Sequence, residues 1–527
     1  MKKYILFNII VLTALLGCDD LLEENPSFTL NEQTLFKTKE SAQLALNACY
    51  GWVAHHQMYG QGLINVTELA SGIAWARKNP GNDESNMAAF EFLPDGFYPT
   101  FLWDGLYKAI SETNIFIAAA ENSSIENKEH LMAQAKFLRG LAYYNLAYIW
   151  GGVPLKLTPP TAETTDVPRA TRKEVIEQVI KDFNDAAENL NETEEDSSIP
   201  SKLTTWSMLA KVYFLEASAE GVGSSLWSTA RDFGEKVFAV VGTAPPLEPV
   251  YADLFNENTR ESVESLFKLN YSPQGTGRSF NKNGWMQSPY FSTVGGKHFP
   301  NRRVSKAHFN YFRSRHPGDP RIDASYFHTT YVNALNGNTE NTYPIIAATG
   351  NRGTWPYFKK HHDSRIAGQF TYKNFIVLRY ADLLLLMADV ENELGNTGVA
   401  VGYVNQVLAR ARASVSPAAL EPADVPLTIS QQDLRQLIFD ERLFELGNEG
   451  HSFIETRRRG IEYLGSITQR HNAEPDAIPG FESSSPWSGH RLPESGLTLE
   501  RTLLMPIPQK EINNNKAIDQ SNQNIGW

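Results

Sequence analysis

The apolar residues of this chain follow two rhythms, and the switch between them divides it. From Lys128 to Trp150, Leu131, Ala135, Leu138, Ala142, Leu146 and Ile149 recur at steps of four and three, one face of an α-helix. Phe137, Leu141, Tyr144 and Tyr148 form a second stripe beside it, so this helix is expected to pack on two sides before Gly151-Gly152-Val153-Pro154 stops it. Residues 171–190 repeat the pattern behind Thr171, with Glu174 at the capping-box spacing. Residues 203–219 do so through Leu203, Trp206, Ala210, Tyr213 and Ala217. Residues 380–394 and 400–413 read as a helix pair joined at Gly395-Asn396-Thr397-Gly398, with Ala400 and Ala411 small enough for close approach. Residues 430–447 add another helix.

Between these blocks, from Gly242 to Lys373, the helical period disappears and Gly, Pro, Asn, Ser and aromatics dominate. Short hairpins and long loops fit this region, and long loops in a compact fold tend to be functional. The fold class expected is mainly α: irregular tetratricopeptide-like helical hairpins forming a scaffold, with long loops and a few short strands. An N-terminal helical region, 41–230, is expected to pack as one unit with a C-terminal region, 242–527, that carries the loop-rich insertion 242–373.

The chain opens on Lys2 and Lys3, an apolar run from Tyr4 to Leu16, then Gly17 and Cys18. The run is too short to span a bilayer and reads as a signal peptide over residues 1–17. Gly17-Cys18 resembles a bacterial lipobox, although Leu16 stands where a smaller residue is usual. That resemblance implies lipidation at Cys18, with residues 18–40 as an acidic tether. Removing residues 1–17 takes away both lysines and moves the formal charge from -12 to about -14. An acidic chain without a basic stripe argues against a nucleic-acid partner. With Cys18 assigned to lipid, Cys49 is left alone and no intramolecular disulfide forms.

Several stretches resemble the SusD/RagB family of surface nutrient-binding lipoproteins. They are AQAKFLRGLAYYNLAYIWGGVPL (Ala133 to Leu155), NFIVLRYADLLLLMADVENELG (Asn374 to Gly395), NQVLARARA (Asn405 to Ala413) and FDERLFELGNEGHSFIETRRRG (Phe439 to Gly460). The closing LLMPIPQKEINNN segment resembles the family's Pro-Ile-Pro-Gln end, while Ile525 and Trp527 depart from its usual last residues. The resemblance implies a SusD-like helical fold and a lipid-anchored, surface-exposed protein of the outer membrane. Its partner would be a TonB-dependent, SusC-like transporter, to which it passes captured glycan or, in some relatives, peptide. Arg379, Asp382, Glu441, Arg442, Glu445 and Arg457 lie on helices with apolar opposite faces, and are expected to form buried ion pairs that hold helices in register.

Candidate chemistry is sparse. The chain has no Gly-x-Ser-x-Gly elbow, HExxH helix, Walker loop, Gly-x-Gly-x-x-Gly fingerprint or EF-hand loop. The adjacent pairs His55-His56 and His361-His362 point in different directions on any regular element and make no ready metal clamp. No catalytic residue, metal or cofactor is therefore assigned. With 60 acidic residues, a carboxylate pair at hydrolytic spacing is available in any fold, so spacing does not decide against a glycan-active hydrolase. The case against it is the family resemblance, and hydrolysis stays the less favoured alternative.

Binding is better supported. The chain is rich in rings, with 10 Trp, 21 Tyr and 28 Phe. Sugar C–H faces stack on aromatic rings while hydroxyls pair with amides, carboxylates and guanidinium groups. Three loop-like stretches combine these types: Trp75, Arg77, Asn79 and Asp83; Asn283, Trp285 and Tyr290; and Arg352, Trp355 and Tyr357. Each ring has an alternative role as a plug that holds its loop against the scaffold. Trp103, Trp150 and Trp206 fall in helical patterns and are expected in the core.

Overall fold

The computed structural model describes residues 36–76, 83–256, 258–259, 261–271, 302–332, 339–341, 343, 355–363, 373–473 and 491–527. Cys18, most of the acidic tether, and Arg77, Asn79, Asn283, Trp285, Tyr290 and Arg352 lie outside them.

The fold is mainly helical. Its principal helices are α1 (Lys39–Val53), α2 (Phe97–Glu121), α3 (Lys128–Trp150), α4 (Arg172–Asn189), α5 (Lys202–Glu220), α6 (Leu226–Val241), α7 (Lys306–Arg315), α8 (Tyr380–Glu393), α9 (Thr397–Ala413), α10 (Gln431–Leu446), α11 (Ser452–Arg457) and α12 (Ile461–Ala473). Helices α2 to α6 pack each on the next, and α8 joins α6, α9 and α10, which is the expected helical-hairpin scaffold. α3 runs over the expected residues and is buried on nearly every side in its C-terminal half. Thr171 caps α4 through the capping box with Glu174. A Cβ at Gly140 of α3 would lie 2.9 Å from the Phe183 ring of α4, so glycine there allows the close approach. The same contact is locked by Arg139, which donates to Asp182 at 2.7 Å and 2.9 Å.

The chain's closing segment is stitched to α3. Trp150 Nε1 donates to the Pro506 carbonyl at 3.0 Å, Met505 N to the Ile149 carbonyl at 2.8 Å, and Asn524 Nδ2 to the Trp150 carbonyl at 2.9 Å. Terminal Trp527 stacks on Phe92 with centroids 6.0 Å apart, whereas Ile525 is exposed. Trp103 and Trp150 are core residues, and Trp206 is half-buried at its margin. Among the described residues, no helix is long and apolar enough to cross a membrane.

The described residues of the region from 242 to 373 are not all hairpin and loop. They include helix α7, whose buried side holds Lys306 and His308 beside Phe309 and Phe312. Those two polar residues break the apolar stripe and hide the helix from a periodicity reading. The strands β1 (Ala74–Ala76), β2 (Ser265–Leu269), β3 (Arg302–Val304), β4 (Tyr326–Phe327), β5 (Thr330–Val332), β6 (Thr339–Asn341), β7 (Tyr357–Phe358) and β8 (Phe375–Arg379) form four antiparallel pairs. Among the described residues, only β5–β6 is a local hairpin; β1–β3 and β2–β8 join distant parts of the chain.

Candidate functional site

The described residues of the first and third polar-aromatic stretches meet across β3. In the β1–β3 pair, Trp75 faces Arg303 and Ala76 faces Arg302, so the first stretch meets the residues that follow the second. Val304 N donates to the Pro356 carbonyl at 3.2 Å and brings in the third. The Arg303 guanidinium lies 5.5 Å from the Trp355 ring and 5.4 Å from the Tyr357 ring, and Lys306 Nζ lies 4.3 Å from the Trp355 ring. Trp75 packs on His471 at 4.8 Å, whose Nδ1 is 3.3 Å from Ser305 Oγ.

These rings are enclosed. Trp75, Trp355 and Tyr357 are 2%, 0% and 1% exposed, and their neighbours are His471, Arg303 and Lys306. They form a seam around β3 and take the plug role that the sequence left open, not that of exposed ligand contacts. Asp83, half-buried, stands at the far end of the first stretch. It accepts from Tyr98 N at 2.7 Å and so caps the start of α2 from outside that helix. Burial pushes its carboxyl up to about 6, helped by Glu84 and opposed by the Tyr98 and Phe97 N–H groups. Tyr98 in turn donates its hydroxyl to Glu84 at 2.7 Å and accepts from Gln61 at 3.0 Å.

Behind the seam lies a charged interior. Arg379 donates to Glu264 at 2.7 Å, to Glu445 at 2.6 Å and to Glu449 at 2.8 Å, all buried. Arg410 also binds Glu264 and Glu445, and Arg321 binds Asp319, Glu441 and Glu445. A second network joins Lys211, Asp382, Arg442, Glu455, Arg458 and Asp389. Burial alone would raise the Glu445 and Glu449 carboxyls, but the surrounding cations outweigh it and hold both below the usual carboxylate range. These are the buried ion pairs expected, except that Arg379 ends strand β8 and does not lie on a helix, and that Arg457 differs. Among the described residues Arg457 makes no ion pair: it donates to the Thr502 carbonyl at 2.8 Å and lies 3.8 Å from the Phe453 ring.

Glu68 is the residue the sequence reading passed over. It sits on a short π-helical turn (Asn65–Leu69), fully buried. Its carboxylate accepts from Asn448 N at 3.0 Å, Gly450 N at 2.8 Å and Ser452 Oγ at 2.6 Å. An acidic residue inside the apolar run Leu63 to Ala76 was the available signal, as was the Arg302-Arg303 pair for the seam. Among the described residues, no group of three or more His, Cys, Asp or Glu is arranged to hold a metal ion.

The family model described as the SusD family matches residues 263–527. The chain belongs to the SusD family. A second model, described as starch-binding and associating with the outer membrane, matches residues 22–214 of this SusD-family protein. It is 26% identical to SusD-like protein P2 of Formosa agariphila, across 99% of both chains. Its fold is similar to that of a SusD homolog from Bacteroides thetaiotaomicron, with TM-score 0.73 and 21% identity, covering 94% of this chain and 98% of the other. It is also similar to a laminarin-binding SusD-like protein, with TM-score 0.67 and 19% identity, covering 93% of this chain and 100% of the other.

Proposed function

We propose that this SusD-family protein captures an oligosaccharide at the outer surface of the outer membrane and passes it, unaltered, to a TonB-dependent transporter. The protein is held there by lipid on Cys18 and closes over the transporter as a lid. The observation that carries this reading is the meeting of the first and third polar-aromatic stretches, where Ala74, Val304 and Pro356 converge. Capture by loops needs such a junction, because groups from distant parts of the chain must face one ligand. Arg77, Asn79, Asp83, Asn283, Trp285, Tyr290 and Arg352 are the contacts proposed, whereas the enclosed Trp75, Trp355 and Tyr357 brace the seam. The family model over residues 22–214 and the laminarin-binding neighbour supply the ligand class. Retardation of the purified protein in gels containing starch or laminarin tests capture. Palmitate labelling, compared between wild type and Cys18→Ala, tests the anchor.

A further inference from the structure

A line of aromatic side chains leads away from the Asp83 end of the site. Asp83 accepts from the backbone of Tyr98, and the Tyr98 ring meets that of Phe97 at 5.0 Å. From Phe97 the line passes to Phe101 at 5.1 Å, to His56 at 5.1 Å, to His55 at 4.1 Å and to Trp52 at 4.8 Å. Phe97 and Phe101 are one helical turn apart on α2, and Trp52 lies in the last turn of α1, so the line crosses from the start of one helix to the end of its neighbour. Phe97 is 57% exposed, and Phe101, His56, His55 and Trp52 are half-buried, so each retains solvent-facing surface.

We infer that Phe97, Phe101, His56, His55 and Trp52 form an extended strip for a neutral oligosaccharide, continuing the capture site outward from Asp83. This rests on the glycan reading above. Ring faces attract sugar C–H surfaces, and a linear succession offers one ring after another to a chain of sugars. Ring planes turn by 48° between His56 and Phe101, by 42° between the histidines and by 44° between His55 and Trp52. Such a surface is corrugated and suits a chain whose sugar faces turn, in contrast to a flat, ribbon-like glucan.

The polar groups alongside favour a sugar over a protein. Along α2 the rings are followed by Asp104, paired with Lys510 at 2.6 Å, and Lys108, paired with Glu112 at 2.8 Å and 5.4 Å from the Trp52 ring. Charges are depleted from the centre of protein interfaces, whereas rings bordered by polar groups match the two-sided chemistry of sugars. Burial, then the neighbouring His56, lowers the His55 imidazole to about 4, and burial lowers His56 as well. Both shifts favour the neutral imidazoles.

Titration with a disaccharide and a heptasaccharide of the same linkage, from the laminarin and starch series, tests the strip. In wild type, affinity is expected to rise with chain length. Phe97→Ala and Trp52→Ala are each expected to cut that rise about three- to tenfold, the order of one stacking contact, and Phe97→Tyr to restore it. Exposed Phe97 can be truncated without opening the core, and circular dichroism confirms the fold of each variant. An unchanged chain-length gain in both alanine variants, or loss of a protein partner with glycan affinity intact, overturns the strip. A wild type that binds none of these sugars or their parent polysaccharides overturns the glycan reading itself, along with the strip.

Discussion

Glu68 and Ser452 stand 384 positions apart in the chain, yet the serine hydroxyl donates to the Glu68 carboxylate at 2.6 Å. The same carboxylate takes the N–H groups of Asn448 and Gly450. Both of those residues have positive φ, 67° and 88°, in the turn that leads into α11. One side chain near the amino end therefore holds a strained turn near the carboxyl end. Glu68→Ala leaves two buried N–H groups and a hydroxyl without an acceptor, at about 1–3 kcal/mol for each orphaned donor. Urea unfolding is expected to show a loss of about 3 kcal/mol or more, with a smaller loss for Glu68→Gln. A change below about 0.5 kcal/mol in the alanine variant contradicts the clasp.

Arg379 is the hub of the larger charged network, and Arg379→Ala takes one cation from Glu264, Glu445 and Glu449, leaving them to Arg410, Arg321 and Lys360 in the interior. Removing one member of a buried ionic group typically costs about 3–5 kcal/mol. Chemical denaturation is expected to show a loss of that order. Full retention of stability would place these charges in contact with solvent, contrary to the fold.

Helix positions were legible because their signals are local. The stripe on α3 and the Thr171–Glu174 box on α4 depend on residues a turn apart. Helix α7 was not legible, because Lys306 and His308 are buried by tertiary contacts that a periodicity reading cannot anticipate. The meeting of Trp75 with Arg303, and of Val304 with Pro356, is likewise long-range, so the stretches could be named but not assembled. The lone Arg457 shows the same limit: its charge suggested an ion pair, and its partners are a carbonyl and a ring.

Asp83 carries a pH signature. Its folded carboxyl is raised to about 6, so between the ordinary carboxylate value near pH 4 and pH 6 the native state holds this proton more tightly than the unfolded chain. Its contribution to stability is present below about pH 4 and is lost as pH rises through 6. Asp83→Asn removes this term. Urea midpoints at pH 4, 5, 6 and 7 are expected to fall less with rising pH in the variant than in wild type; identical slopes would contradict the assignment.

Cys49 is 1% exposed, and burial, with Glu112 next, pushes its thiol well above the usual range. Maleimide is expected to leave Cys49 unlabelled in the native protein and to label it fully in denaturant. Rapid native labelling would show that α1 does not pack as described.

The most direct measurement of the central claim is affinity electrophoresis of the purified protein in laminarin and starch gels, with mass analysis of the recovered sugar. Capture without chemistry predicts retardation by at least one polysaccharide and recovery of a bound oligosaccharide at its starting mass. Unimpeded migration in every gel, or recovery of shortened sugar, would contradict it.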